Sequence, residues 1–279
     1  MPVMTPLRRI LLMFLLCMGT ALADDTARSE ALIHGDNERL QQLLALEWDV
    51  AMHDAGTKDW QDRWFLDGTR AAVTNTPDGM ILTAGPIPRD HASHCVLWTK
   101  DSFAGDVKIE FDYWRLDTIQ RWVNILYIQA TGTGVAPYDK DIDAWSQQRE
   151  IPYMKSYFNH MNLLHISFAA FDPDSAHDDY VRMRRYPTSA DRSFSELAVR
   201  PDYFDTGLFR PGVKHHFTVI KRHSEVHMRI SDGEKTMTFS WDTSRFDPIV
   251  EGRIGFRHMF TRSARYADIS ISTLSRRRP

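Results

Sequence analysis

Short segments in which apolar and polar residues alternate run through most of the chain. The clearest is Val107 to Trp114, where apolar residues take every second position and Lys108, Glu110 and Asp112 lie between them. Alternation with a period of two is typical of a strand with one buried face. The other predicted strands are Ala71–Asn75, Met80–Ala84, Trp122–Ala130, Leu163–Ala170, Tyr180–Tyr186, His216–Arg222, Val226–Ser231, Thr236–Trp241, Gly252–His258 and Ala264–Ser272. Many short strands without intervening amphipathic helices predict an all-β sandwich or jelly roll of two antiparallel sheets.

The segments outside these strands predict the limits of the domain and two long connections within it. Residues 24–47 are mostly polar with leucines at helical spacing, which predicts a short helical lead-in before a domain at 48–275 and a basic tail at 276–279. Thr131 to Asn162 is a long connection rich in aromatic residues, and Pro187 to Gly212 is a second long connection. Long loops of this kind inside a compact domain are often functional.

The first residues predict export. Arg8 and Arg9 precede the apolar run Ile10 to Met18, and Ala21-Leu22-Ala23 presents small residues where a signal peptidase cleaves. The apolar run is shorter than the roughly 20 residues of a membrane-spanning helix. We therefore expect cleavage after Ala23, a periplasmic or secreted protein, and no membrane span in the mature chain.

Cysteine content and charge narrow the class of protein. Cys17 leaves with the predicted signal peptide, so Cys95 is the single cysteine of the mature chain and is expected to be a small buried residue. A net charge of −3 and a pI near 6.5 provide no strong positive field, which argues against nucleic acid as a partner. Eight Trp, nine Tyr and fifteen Phe suit both a sandwich core and sugar binding.

Several segments together resemble a known family. They are Leu97-Trp98-Thr99-Lys100, Phe103, Gly105-Asp106, Lys108 to Tyr113, Ile125 to Ala130, His160-Met161-Asn162, His165-Ile166-Ser167 and Gly252 to Met259. This pattern resembles the bacterial domain-of-unknown-function family 1961, over about Trp48 to Ser272. The resemblance implies a concanavalin A-like jelly roll, as in lectins and glucanases, and a role in plant-polysaccharide breakdown. Gly252 to His258 is also similar to the closing strand of 3-keto-disaccharide hydrolase domains, which supports fold more than chemistry because Arg257 replaces a Gln.

Paired carboxylates are the first candidate chemistry. Glu110 and Asp112 are two residues apart on a strand, so both side chains point to one face, roughly 7 Å apart. Two carboxylates can serve a glycosidase as acid and as nucleophile or base, although this spacing fits neither geometry decisively. The alternative, a solvated outer sheet face that also carries Lys108, is favoured.

A second set of polar residues fits a polysaccharide lyase. Tyr127 and Gln129 are expected on one face of a strand, together with Asn162, His165 and Ser167 from another segment. A Gln or Asn with an Arg neutralises a uronate carboxylate, and a Tyr or His removes the adjacent proton. The candidate arginines are Arg121, Arg182, Arg184, Arg257 and Arg262. The alternative is an interior strand whose polar groups are satisfied.

Arginines, a histidine and two tryptophans complete the candidates. Arg182 and Arg184 share one strand face and suit carboxylate or sulfate recognition, with a solvated face as the favoured alternative. His258 is a further catalytic candidate. The predicted substrate-binding residues are Asn162, Arg257, Arg262, Trp122, Trp145, Glu110 and Asp112.

No cofactor is predicted. His91, His94, His215 and His216 lack a carboxylate at a recognised zinc spacing. Asp139, Asp141 and Asp143 faintly resemble a calcium loop, but its glycine and terminal glutamate are missing. The sequence thus predicts an exported carbohydrate-active enzyme that cleaves an acidic plant-type polysaccharide or its oligosaccharides, with a lyase slightly preferred over a hydrolase. The alternative from another class is a non-catalytic carbohydrate-binding module, with Trp114, Trp122 and Trp145 as a flat platform.

Overall fold

A computed structural model describes residues 36–275, so the predicted signal peptide (1–23) and basic tail (276–279) lie outside the described residues. The chain forms two compact units, residues 1–45 and 46–279. In the first unit the structure describes the helix α1 (residues 36–44), which confirms the predicted N-terminal helix. No helix among residues 36–275 has the length and apolar character needed to cross a membrane.

The second unit is a sandwich of two antiparallel sheets with eight strands each. The back sheet runs in the order β14-β13-β12-β7-β16-β4-β3, and β1 also pairs with β16. Its strands are β1 (Trp48–Asp54), β3 (Ala72–Thr76), β4 (Gly79–Thr83), β7 (Val107–Arg115), β12 (Lys214–Arg222), β13 (Glu225–Ser231), β14 (Thr236–Asp242) and β16 (Ser263–Leu274). The three strands β12, β13 and β14 were predicted from the sequence, and they pair in turn as an antiparallel meander.

The front sheet runs in the order β11-β10-β9-β8-β15-β5-β2, and β6 also pairs with β15. Its strands are β2 (Trp64–Asp67), β5 (Cys95–Thr99), β6 (Phe103–Ala104), β8 (Trp122–Gly132), β9 (Met161–Phe171), β10 (Tyr180–Tyr186), β11 (Ala198–Phe204) and β15 (Glu251–His258). The all-β, jelly-roll prediction is confirmed. Cys95 is fully buried on β5, as expected from its apolar neighbours.

The main core lies between the two sheets. Phe111 on β7 is fully buried and its ring stacks on Phe217 at 4.5 Å and meets Phe256 of the front sheet edge-on at 5.0 Å. Burying such a side chain contributes roughly 1.5–3 kcal/mol. The alternation of β7 explains the contact, because Val107, Ile109, Phe111 and Tyr113 all point between the sheets.

A second apolar cluster covers the outer face of the front sheet. Residues 133–160, which we call the cover segment, contain a 3-10 helix (Ile142–Arg149) and the helix α2 (Met154–His160). Ile142, Trp145 and Tyr157 of the cover segment are buried against front-sheet side chains such as Trp98 and Tyr127. The aromatic residues of this long connection therefore form a second core, which encloses part of the outer face.

Candidate functional site

Polar and aromatic side chains line up across the outer face of the front sheet. Along β10, Val181 and Met183 pack into the main core, so Arg182 and Arg184 point to the outer face. Register pairing then places Arg184 beside His165 on β9, His165 beside Tyr127 on β8, and Tyr127 beside Gly255 on β15. The predicted lyase residues Tyr127 and His165 and the predicted arginine row therefore lie on one face, side by side.

His165 is held between two hydroxyl groups. Its Nδ1 lies 2.6 Å from the Tyr186 hydroxyl and its Nε2 lies 2.7 Å from the Ser167 hydroxyl. Burial, reinforced by the charges of Arg184 and Arg257, lowers the pKa of His165 well below its usual range. The imidazole is therefore neutral near pH 7, so one ring nitrogen donates to one hydroxyl group and the other nitrogen accepts from the second.

Tyr127 lies under the cover segment. Its ring stacks on Trp98 at 5.3 Å and on Tyr157 of α2 at 6.0 Å, and the side chain is fully buried. Burial raises the pKa of Tyr127 to about 12, and the charge of Arg257 acts in the opposite direction. The stack requires a glycine at 255, because a Cβ there would lie 2.4 Å from the Trp98 ring.

Buried charges attach the cover segment to the front sheet. Asp67 on β2 accepts hydrogen bonds through Oδ2 from Arg149 Nε at 2.7 Å, Trp98 Nε1 at 2.8 Å and the Tyr157 hydroxyl at 2.9 Å. Burial raises the pKa of Asp67 and the charge of Arg149 opposes that rise. No sequence pattern linked Asp67 with Arg149, since 82 residues separate them.

Arg257 makes a second attachment. Its Nη2 donates to His94 Nδ1 and to the carbonyl of Pro152 in the cover segment, both at 2.7 Å. Its guanidinium lies 4.3 Å from the centre of the Tyr157 ring. Burial, with the charge of Arg257 next, lowers the pKa of His94 to about 2, so His94 is a neutral acceptor. Arg257 is thus enclosed, and four cavities lined by described residues contain neither it nor Tyr127 or His165.

The outer face of the front sheet is partly exposed at β10, beyond the cover segment. We call Tyr180, Arg182 and Arg184 of β10, with His165 and Ser167 of β9 at their base, the front-face strip. Tyr180, Arg182 and Arg184 are half-buried. The Arg182 guanidinium lies 4.6 Å from the Tyr180 ring, and the Arg184 guanidinium lies 4.7 Å from the ring of Phe194, which is 37% exposed.

Arg184 is the free cation of the front-face strip. Arg182 donates through Nε to Asp202 Oδ2 at 2.8 Å, and Arg200 pairs with the same oxygen. Within residues 36–275, no carboxylate forms an ion pair with Arg184, and its Nε has no hydrogen-bond partner. Burial lowers the pKa of Arg184, but a guanidinium with so high a starting pKa stays charged.

Two predicted catalytic residues lie elsewhere. Gln129 does not share a face with Tyr127, because a β-bulge with a φ of 52° at Gln129 shifts the alternation by one residue. Its Nε2 donates to the carbonyls of Phe103 and Gly105, both at 2.9 Å. His258 follows Arg257 and so points into the sandwich, where its Nε2 lies 2.8 Å from the Tyr266 hydroxyl.

Asn162 and Arg262 are also separated from His165. Leu163 and His165 share the outer face of β9, and Asn162 points to the opposite face. Asn162 lines a cavity of about 300 Å³, where its Nδ2 lies 3.5 Å from Thr131 Oγ1. Arg262 is fully buried and donates to Asp117 Oδ2 at 2.9 Å and to the carbonyl of Ala169 at 2.7 Å. These contacts tie a loop to the end of the front sheet.

The two predicted tryptophans do not form a platform. Trp122 is half-buried at the start of β8 and meets Phe260 edge-on at 4.4 Å. Trp145 is buried in the cover segment, where its Nε1 donates to the carbonyl of Asp139 at 3.0 Å. Trp114 lies on the back sheet, between the charged groups of Arg265 and Lys214.

Glu110 and Asp112 lie on the outer face of the back sheet, as the alternation of β7 requires. Glu110 pairs with Lys108 at 2.7 Å, and Asp112 pairs with Lys214 at 2.5 Å and with His216 at 2.8 Å. The favoured reading, a polar outer face, is what the structure shows. The pair is therefore on the sheet opposite to Tyr127 and His165.

Metal ligands are not grouped in the described part of the chain, where no set of three His, Cys, Asp or Glu residues could hold an ion. Asp139, Asp141 and Asp143 instead form a chain of turns, in which each of the first two accepts a hydrogen bond from the backbone N–H two residues on. Asp141 also pairs with Arg253 at 2.8 Å.

Solved structures share the fold at low sequence identity. A protein of unknown function with a galectin-like fold from Bacillus subtilis matches with a TM-score of 0.61 and 16% identity, covering 82% of this chain and 100% of its own. The exoplasmic/lumenal domain of VIP36, in a Ca²⁺- and Man3GlcNAc-bound form, matches with a TM-score of 0.52 and 11% identity, covering 81% and 92%. A seed lectin of Lotus tetragonolobus matches with a TM-score of 0.51 and 10% identity, covering 81% and 99%.

Sequence comparison defines the family. No curated protein matches the chain in a sequence search. A family model described as a domain of unknown function, DUF1961, matches residues 55–271, which is most of the sandwich. The resemblance inferred from Leu97 to Met259 is thereby confirmed, and the chain belongs to the DUF1961 family.

Proposed function

We propose that the protein is an exported carbohydrate-active protein that binds an acidic polysaccharide or oligosaccharide on the front-face strip. The observation that carries this proposal is Arg184, a half-buried guanidinium without an acidic partner among the described residues, beside the neutral His165. A guanidinium offers a planar fork to two carboxylate oxygens. A charge-assisted hydrogen bond of this kind contributes about 1.5–3 kcal/mol.

Aromatic rings next to the cations support a saccharide rather than a simple anion. Tyr180 and the partly exposed Phe194 flank Arg182 and Arg184, so ring faces and charges alternate over β10, next to the edge strand β11. A sugar presents apolar C–H faces and polar edges, which such an arrangement can meet together. Sugar-bound and lectin structures with the same fold add support from outside this chain.

A second candidate function is β-elimination at the same strip. His165 is neutral, 2% exposed and adjacent to Arg184 in register. In this reaction His165 takes the proton from the carbon next to the uronate carboxylate, a C=C double bond forms, and the departing sugar oxygen receives the proton. A bound carboxylate also offsets the charge of Arg184 and so raises the pKa of His165 when a base is needed.

The hydrolase and platform alternatives have less support. Glu110 and Asp112 form ion pairs with lysines on the back sheet, so the predicted carboxylate pair lies away from the front-face strip. Trp114, Trp122 and Trp145 lie in three separate environments. The experiment below distinguishes a non-catalytic binding module from a lyase.

The test uses polygalacturonate, alginate and a neutral galactan. Binding is measured by calorimetry, while ultraviolet absorbance of unsaturated uronate and reducing ends are followed over time. We expect binding of an acidic polymer and weaker binding of the neutral one, with Arg184→Gln lowering affinity about 10- to 100-fold. Arg229→Gln, on β13 of the back sheet, is the matched control. Equal binding of acidic and neutral polymers contradicts the proposal.

The same assay separates the chemistries. Unsaturated product that disappears in His165→Gln supports β-elimination, and reducing ends without absorbance support hydrolysis. Binding without either product leaves a binding module as the function. Export is tested independently by N-terminal sequencing of the protein from a secreting host, where the first residue is expected to be Asp24.

A further inference from the structure

A second pair of arginines meets at a single aromatic ring near the front-face strip. Arg192, in the loop after β10, lies 5.2 Å from the centre of the Phe246 ring, and Arg245 lies 4.6 Å from the same centre. Two guanidinium groups at one ring repel each other unless an anion or solvent separates their charges. This pair was not singled out by any sequence pattern.

The pair is continuous with the front-face strip through side-chain contacts. Arg184 lies over the ring of Phe194. Arg192 precedes Phe194 by two residues, so the Cα atoms of Arg192 and Phe194 are at most about 7 Å apart. Arg192 then contacts Phe246. Cations and rings thus follow one another from β10 around the sheet edge.

The local acidic groups leave both arginines without an ion pair. Within residues 36–275, no carboxylate pairs with Arg192 or Arg245. The nearby Asp191 and Glu196 accept hydrogen bonds from Ser189 and Ser193, at 2.8 and 2.6 Å, and the charge of Arg192 acts on both carboxylates from beyond ion-pair distance.

Arg185, next to Asp247, adds a third cation. It donates to the Asp247 carbonyl at 2.9 Å, while Arg245 donates to the Ala198 carbonyl. Burial lowers the pKa of Arg185 to about 10, so it is charged at neutral pH, and the charge of Asp247 acts in the opposite direction. Within the described part of the chain, the three guanidinium groups therefore lie at this edge without a carboxylate at ion-pair distance.

A cavity adjoins the same ring. It has a volume of about 540 Å³ and is lined by Phe246, Pro248 and Val250 together with Lys221 and Ser244. Lys221 is buried and donates through Nζ to the carbonyl of Ile249 at 2.6 Å. The cavity is within the size range of ligand sites and combines apolar walls with polar groups. Asp106 and His223 also line it, so the cavity itself is of mixed charge.

We propose that Arg192 and Arg245, at the Phe246 ring, form a second anion subsite that continues the front-face strip. The ligand is then a polyanionic saccharide chain with at least two acidic groups, one at Arg184 and one at this pair. The proposal rests on the proposed function, since it extends the binding site of the acidic saccharide. Two linked contacts raise the affinity of a chain above that of a single sugar.

The experiment compares uronate monomers with tetramers prepared from polygalacturonate and alginate, titrated calorimetrically into the mature protein. We expect the tetramer to bind at least ten-fold more tightly than the monomer. The double variant Arg192→Gln/Arg245→Gln should lose at least ten-fold for the tetramer and leave monomer affinity unchanged. Arg184→Gln should weaken both ligands, and the control Arg229→Gln neither.

The outcomes separate this inference from the proposed function. Equal affinities for monomer and tetramer, or an unchanged tetramer affinity in the double variant, overturn the second subsite while the strip itself stands. Similar losses in Arg229→Gln show that only overall charge matters and also overturn it. Failure of every uronate to bind the unmodified protein overturns both. Circular dichroism and the thermal midpoint of unfolding show whether each variant is folded. If the double variant does not fold, the single variant Arg192→Gln is used in its place.

Discussion

The pH dependence of stability tests whether His258, at the end of β15 in the front sheet, is buried and neutral as the structure shows. The side chain is fully buried and its Nε2 lies 2.8 Å from the Tyr266 hydroxyl. Burial, with the charge of Arg262 as the next cause, lowers the pKa of His258 to about 3. In the unfolded chain the same imidazole has a pKa near 6.5.

The sign follows from the two pKa values. Below about pH 6.5 the unfolded chain binds a proton that folded His258 does not accept, so acid favours unfolding. Neutral His258 contributes its full stabilisation at pH values above the pKa of the imidazole in the unfolded chain. This contribution declines as the pH falls below that pKa. Between pH 7.5 and 5.5 the loss amounts to about 1.4 kcal/mol, because the unfolded imidazole changes from about one-tenth to nine-tenths protonated.

The assay compares the unmodified protein with His258→Gln by urea unfolding at both pH values. Gln removes the titrating group, and its constant packing cost cancels when the two pH values are compared. The difference in unfolding free energy between the two proteins should fall by about 1.4 kcal/mol from pH 7.5 to 5.5. A difference that does not change with pH would refute the assignment of a neutral, enclosed His258.

Two further changes test the cover segment and the stack beneath it. Asp67→Ala should lower the free energy of unfolding by about 3–5 kcal/mol, since it leaves Arg149 buried without its carboxylate, and Arg149→Met in the same chain should recover part of the loss. A loss below 1 kcal/mol in urea unfolding contradicts this. Gly255→Ala should displace Trp98 from Tyr127 and cost about 1–3 kcal/mol, because its Cβ would lie 2.4 Å from the indole. An unchanged near-ultraviolet circular dichroism spectrum counts against the stack.

Strands could be predicted from the sequence where apolar and polar residues alternate regularly. Val107 to Arg115 alternates so regularly that both its core face and its outer face follow from the sequence. The edge strand β11 was not predicted and lies within the predicted connection Pro187 to Gly212; its Pro201 is a residue that central strands exclude. Only the paired structure shows that β11 lies at the sheet edge, where proline is tolerated.

Only part of the candidate site could be predicted from single residues, and its assembly could not. The period of two placed Arg182 and Arg184 on one face, yet their position next to His165 depends on the register between β9 and β10. The same rule failed at Gln129, because a single bulged residue reverses the alternation beyond it. The sequence alone has no marker for that bulge.

The enclosed cluster around Asp67 shows why long-range contacts are missed. Asp67 and Arg149 are unremarkable in their own segments, and only folding of the cover segment onto the front sheet joins them. The aromatic content of the connection Thr131 to Asn162 was interpreted as a sign of a functional loop. Its role as a second core appeared only with the packing of Trp145 and Tyr157.

The most direct measurement of the central claim is the affinity of the mature protein for uronate tetramers, with and without Arg184→Gln. Arg184 forms no ion pair within residues 36–275, and we propose that an acidic saccharide provides its anionic partner. We predict measurable binding of the acidic tetramer, weaker binding of a neutral tetramer, and a 10- to 100-fold loss in Arg184→Gln. Equal binding of acidic and neutral tetramers, or an unchanged affinity in a folded Arg184→Gln variant, would contradict the account.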